Sequence, residues 1–175
     1  MTNALLELIK TRRSCRHYKA EQIADEELDA VLEAGIYAPT GHGLQDPVIV
    51  AVQNENLKTR LAKLNAEIMG VDSNPFYDAP TYVLVFATES NANAFQDGSC
   101  ALENMILAAH ALGLASCWIN REYQMFRTDE GKAMMKELGL DDSSLIGIGA
   151  LALGYPSREP RPAAPRKEGR TKVVK

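Results

Sequence analysis

Apolar residues recur at helical spacing along some segments of the chain and run unbroken along others, with Gly, Pro and Asn between them. Leu5, Leu6, Leu8 and Ile9 predict a short helix ending before the polar run Thr11-Arg12-Arg13-Ser14. After the acidic start Asp25-Glu26-Glu27, Leu28, Val31, Leu32 and Ile36 mark a second helix, closed by Pro39. Residues 40–47 read as a loop, and Val48 to Val52 as a fully buried strand. Leu57, Leu61, Leu64 and Ile68 form another amphipathic stripe, and a loop through Asn74-Pro75 leads to a strand from Tyr82 to Ala87. A long Ala-rich helix is expected from about Asp97 to Leu112, stopped by Gly113. Ser116 to Ile119 is a short extended segment, Asp129 to Leu138 a helix, and Leu145 to Leu153 the last apolar strand. Helices and strands alternate, so the pattern by itself predicts a parallel, doubly wound sheet.

At 175 residues the chain suits one domain, and its composition is that of a packed globular protein. The longest apolar stretches, Leu145 to Leu153 and Met105 to Leu114, fall short of the roughly 20 residues of a membrane span. The N-terminal basic cluster follows the apolar stretch where a secretory signal would precede it, so a cytoplasmic protein is expected. Cys15, Cys100 and Cys117 show no paired spacing, and His17, His42 and His110 fall in separate elements, so no disulfide framework or metal site is expected.

Charge is uneven. Residues 158–175 carry seven basic and two acidic side chains, leaving 12 basic and 21 acidic in the rest, a balance of −9. That acidic body disfavours a nucleic-acid or membrane-surface role. The basic tail, which also holds Pro160, Pro162 and Pro165, reads as an extended arm. It can bind a polyanion, solubilise the chain, or place a few cations over one small anion. Neither G-x-G-x-x-G nor G-x-x-x-x-G-K-[ST] occurs, so any nucleotide must be held otherwise.

Two segments concentrate candidate chemistry. Arg12-Arg13-Ser14-Cys15-Arg16 packs three guanidinium groups and a hydroxyl between two helices, a donor set that matches phosphate oxygens or, equally, a solvated loop. Ala38-Pro39-Thr40-Gly41-His42-Gly43-Leu44-Gln45 joins a helix to a strand. Its glycines permit close backbone approach to a flat ligand, and Gln45 offers donor and acceptor to an amide-like edge; a plain connection is the competing reading.

With those segments in order, the sequence resembles the nitroreductase family of FMN-dependent oxidoreductases. The family's R-R-S-x-R-x-[FY] motif is matched by Arg12 to Tyr18, and its A-P-[ST]-G-x-x-x-Q by Ala38 to Gln45. An N-P-F-Y-x-A-P-like turn follows at Asn74 to Pro80, then A-L-G-L-x-S-C-W-I at Ala111 to Ile119, and G-x-L-x-L-G-Y-P at Gly149 to Pro156. Pro165-Arg166-Lys167 matches the proline-rich P-R-K tail.

The resemblance implies an α+β fold with a mixed, largely antiparallel sheet flanked by helices, and so replaces the parallel sheet as the expectation. Residues 1–157 would form the FMN-binding domain and 158–175 a C-terminal arm of that domain, exchanged between the subunits of a homodimer. It implies an enzyme that moves hydride from NAD(P)H through FMN to a small nitroaromatic or quinone acceptor in a ping-pong scheme. Arg12, Arg13, Ser14, Arg166 and Lys167 would cradle the FMN phosphate, and Arg16 would stand near the flavin pyrimidine edge as a catalytic cation. Pro39, Thr40, Gly41 and Gln45 match the loop that faces a partner subunit's flavin, and Asn74 a further contact. Ile119, Asn120 and Arg121 match the stretch whose backbone N–H groups approach flavin N5, with Asn120 as the second catalytic candidate, and Trp118 before them is a cofactor contact or, equally, core packing. Gly43, Asp46-Pro47 and Asn120 depart from the residues common in the family, which bears on substrate choice. A non-catalytic FMN-binding sensor or store, and a cofactor-free interaction protein, are the alternative classes.

Overall fold

The computed structural model describes residues 3–140 and 143–175, so residues 1, 2, 141 and 142 of the expected domain lie outside the described residues. The amphipathic stripes become α1 (Ala4–Thr11), α2 (Asp25–Ile36), α3 (Glu55–Met69), α4 (Ala94–Ala111) and α6 (Asp129–Glu137). The apolar runs become β1 (Val48–Val52), β2 (Thr81–Thr88), β3 (Ala115–Ile119) and β4 (Leu145–Gly154). Side-chain caps set three helix starts: Asn3 Oδ1 accepts from the Leu5 N–H, Asn54 Oδ1 from Leu57, and Thr128 Oγ1 from Gly131. The helix α4 begins three residues before the expected Asp97. A four-residue helix, α5 (Glu122–Met125), is too short to show a period in sequence.

The strands form one sheet in the order β1-β2-β4-β3, and every neighbouring pair is antiparallel. The fold is therefore α+β, and the parallel, doubly wound sheet expected from alternation is corrected. The physical reason is burial. Tyr82, Leu84 and Phe86 of β2 face a core with Leu61 and Leu64 of α3 and Met134 of α6. Val83, Val85 and Ala87 face a second core with Val31 of α2 and Leu102 and Met105 of α4. With helices on both faces the central strands show no polar alternation, which is the usual sequence mark of a parallel sheet.

Two bridges outside the strands place the N-terminal motif. Ser14 pairs with Ser116 of β3 in parallel sense, and Tyr18 with Pro156 beyond β4 in antiparallel sense. The Tyr18 hydroxyl lies 2.7 Å from the Cys15 carbonyl and 3.1 Å from that of Ala152, pinning the motif to the sheet. Residues 158–175 then leave the sheet as an exposed arm without helix or strand. No helix among the described residues is long and apolar enough to cross a membrane.

Candidate functional site

At Arg12 the backbone leaves α1 with ψ 136°, and the extended chain that follows turns Cys15 inward while Ser14 and Arg16 stay exposed. The C-terminal arm runs alongside. Arg158, Arg161 and Arg166 line one cleft with Arg12, Arg13 and Arg16, about 560 Å³ in volume, to which Ser14 adds a hydroxyl. Among the described residues Glu159 is the one carboxylate lining it, so the charge facing the cleft is strongly positive. Such a set of fork-shaped donors grips a phosphate or carboxylate bidentately.

Some of these guanidinium groups are partly engaged. Arg13 Nη1 donates to the carbonyls of Lys10 and Arg12 at 2.7 and 2.6 Å, and its buried Nε has no partner among the described residues. Arg12 Nε is 4.0 Å from Glu103. Arg16 Nε donates to the Tyr77 hydroxyl at 3.2 Å, a bond that raises the guanidinium pKa further. Arg158 donates to His17 Nε2, and desolvation together with Arg158, Arg16 and Arg161 holds that imidazole below its ordinary pKa. His17 therefore adds no charge near neutral pH. Burial pushes the Cys117 thiol up against the opposing pull of Arg16, which leaves it a poor nucleophile.

Beyond β3 the chain makes a sharp turn. Ile119 is in the core, whereas Trp118 is half-buried with its Nε1 unpartnered among the described residues. Asn120 is exposed, and Arg121 takes φ 88°, the left-handed region that favours glycine. Asn65 of α3, fully buried, holds both: its Nδ2 donates to the Asn120 carbonyl at 2.9 Å, and its Oδ1 accepts from Arg121 Nε at 2.8 Å. The next residue, Glu122, is also fully buried with both carboxyl oxygens unpartnered among the described residues. Burial pushes its pKa up to about 8.

The Pro39–Gln45 loop lies elsewhere and is not part of the arginine cleft. The Gly41 N–H donates to the buried Asp97 carboxylate at 2.9 Å, and a Cβ on Gly41 would stand 2.2 Å from Asn93 Nδ2. A larger residue there would have to displace the Asn93 side chain. The Gln45 N–H donates to Thr40 Oγ1 at 3.0 Å, and Pro39, His42 and Gln45 are exposed on the resulting ridge. Asn74 shapes the turn that carries Tyr77, accepting at Oδ1 from the Phe76 N–H and at its carbonyl from the Tyr77 N–H. Lys167 falls outside the cleft lining, unlike Arg166. His110 has a structural partner, Thr11 Oγ1 at 2.9 Å. No cluster of His, Cys, Asp or Glu among the described residues could hold a metal ion.

Tyr77, Asn65, Glu122, Arg158 and Arg161 were not singled out from sequence. Asn65 carried a usable signal, since it follows Leu61 by four positions on the apolar stripe of α3, where a polar residue needs a buried partner.

Comparison with known proteins identifies the family and the fold. The profile of the Nitroreductase family matches residues 9–155. The chain is 35% identical to a nitroreductase with bound FMN from Bacteroides fragilis NCTC 9343, with a TM-score of 0.89 over 99% of this chain and 100% of that one. A nitroreductase with bound FMN from Desulfitobacterium hafniense DCB-2 is 26% identical, with a TM-score of 0.88 and the same coverage, 99% and 100%. An NADPH-flavin oxidoreductase of Vibrio harveyi is 25% identical across 90% of this chain and 68% of its own length. By its sheet, its motifs and this match along most of its length, the chain belongs to the nitroreductase family.

Proposed function

We propose that the protein is a cytoplasmic, homodimeric FMN enzyme that takes hydride from NAD(P)H and passes it to a small nitroaromatic or quinone acceptor. The observation that carries this reading is the cleft that joins Arg12, Arg13, Ser14 and Arg16 to Arg166, residues from opposite ends of the chain. Its donor set fits FMN, whose phosphate carries about two negative charges at neutral pH. Bound there, FMN would supply hydride transfer, chemistry that no side chain performs.

In this account Arg12, Ser14 and Arg166 bind the phosphate, while Arg13 closes the cleft floor through its bonds to Lys10 and Arg12. Lys167 adds charge from the arm. Arg16, held by Tyr77, would supply a cation able to stabilise negative charge on a reduced flavin ring. Asn120 and Arg121 would present the backbone to the flavin, with Trp118 and Ile119 anchoring that turn on the sheet. The ridge of Pro39, Thr40, Gly41 and Gln45 completes the site of a partner subunit, and Asn74 supports Arg16 through Tyr77. The domain spans residues 1–157, and the arm 158–175 belongs to it while exchanging contacts with the second subunit.

One site over the flavin would then serve donor and acceptor in turn, which explains a dinucleotide substrate without a dinucleotide fingerprint. Steady-state kinetics test it: varying NADH or NADPH at several concentrations of a quinone should give the parallel double-reciprocal lines of a ping-pong scheme. Intersecting lines, or no turnover with any quinone or nitroaromatic, contradict the assignment.

A further inference from the structure

We infer that Asn65 is a positioning residue for the turn Asn120–Arg121, fixing which way its peptide N–H points. The inference rests on the flavin reading above, in which that turn faces the reacting edge of FMN, and its geometry stands apart from that reading.

Arg121 adopts φ 88° and ψ 2°, a conformation costly for any residue with a side chain. Something must hold it there. Asn65 contacts the turn from both sides of one peptide link: Nδ2 donates to the Asn120 carbonyl at 2.9 Å, and Oδ1 accepts from the Arg121 side chain at 2.8 Å. In a planar trans peptide the carbonyl and the N–H point in opposite directions. The bond to the Asn120 carbonyl therefore turns that oxygen toward α3 and sends the Arg121 N–H away from it. The second bond ties the Arg121 side chain to the same amide, so a flip of the link breaks the bond to the Asn120 carbonyl while Arg121 stays anchored. Asn65 is 0% exposed and its Nδ2 also lies 3.1 Å from Met125 Sδ of α5, which fixes the amide's own orientation. A buried amide with every group engaged is rigid, and a rigid support is what a backbone donor needs to stay aimed at a reacting atom.

The contacts also assign a division of labour within the amide. Only the donor half of Asn65 orients the peptide, whereas its acceptor half ties down Arg121. Asn65→Asp keeps the shape and the Arg121 contact but replaces the donor to the Asn120 carbonyl with an acceptor, which repels it. The arginine cleft is untouched by this change.

The test compares wild type, Asn65→Asp, Asn65→Ala and the double variant Asn65→Ala/Arg121→Gly as FMN-loaded proteins. Asn65→Asp should retain FMN with a dissociation constant within about threefold of wild type. Its reduction by NAD(P)H, followed in single turnover, should slow by about tenfold or more, as expected of a misplaced donor. Its visible flavin absorption and its midpoint potential should shift as well, and amide hydrogen exchange in residues 119–125 should rise. Glycine adopts the left-handed turn freely, so the double variant should recover much of the rate relative to Asn65→Ala alone. Unchanged spectrum, potential and reduction rate in Asn65→Asp overturn the inference, as does failure of Arg121→Gly to rescue Asn65→Ala. A wild-type protein that takes up no FMN instead overturns the flavin reading, while a rise in hydrogen exchange confined to 119–125 in the variants still upholds the support of the turn by Asn65.

Discussion

Arg16 Nε donates a 3.2 Å hydrogen bond to the Tyr77 hydroxyl, and the guanidinium carbon stands 5.7 Å from the centre of the Tyr77 ring. One side chain from the N-terminal motif is thereby held by the turn at Asn74–Pro80, 61 residues away in sequence. This fixes a cation that would otherwise sample many rotamers.

Arg16→Met removes the charge and keeps much of the volume. If the cation stabilises charge that exists only on the reduced ring, the flavin's two-electron potential should fall by about 30 mV or more, since about 30 mV corresponds to roughly 1.4 kcal/mol for such a couple. FMN affinity in the oxidised state should change little. Tyr77→Phe should give a smaller shift in the same direction, because the charge remains but loses its support. Spectroelectrochemistry on both variants checks this; FMN lost from both with an unmoved potential would make Arg16 a phosphate ligand instead.

Arg12→Ala and Arg166→Ala should each weaken FMN binding by about 1.5–3 kcal/mol, the range for a hydrogen bond to a charged group. The two residues come from opposite ends of the chain and share one cleft. If they grip one phosphate, the double variant should lose a different amount from the sum of the singles, as coupled partners do. Titration calorimetry measures all three, and strict additivity would place the two arginines on separate anions.

Glu122 gives a pH dependence of stability. Its folded pKa is about 8, above the ordinary glutamate value, so the folded chain keeps a proton that the unfolded chain releases. Its contribution is fully present below the unfolded pKa, about 4.3, and is lost as pH rises toward about 8, with a slope of at most roughly 1.4 kcal/mol per pH unit. Glu122→Gln should abolish that decline and be more stable than wild type at about pH 8. Urea unfolding at several pH values decides it; parallel profiles for the two proteins would mean the carboxyl is charged and paired in solution.

The periodic helices and buried strands were legible in sequence because a stripe of leucines and a run of valines each suit one backbone period. Strand direction was not, since residues such as Val83 and Leu84 are buried on both faces of β2 and carry no polar partner pattern. The donor set of Arg12, Ser14 and Arg16 was visible as a motif. Its meeting with Arg158 was not, because they join through a contact across 141 residues, His17 with Arg158, that only the folded arm creates. Asn65 stayed hidden for a simpler reason: an asparagine in a helix looks the same in sequence whether solvated or clamped on a buried carbonyl.

The account stands most directly on whether this cleft holds a reducible flavin. Apo protein titrated with FMN should bind one molecule per chain, with salt weakening the binding as expected for a phosphate held by arginines. Anaerobic NADH or NADPH should then bleach the flavin's visible bands. A protein that binds no FMN, or binds it with unchanged affinity when Arg12 and Arg166 are both replaced by alanine, would contradict the account.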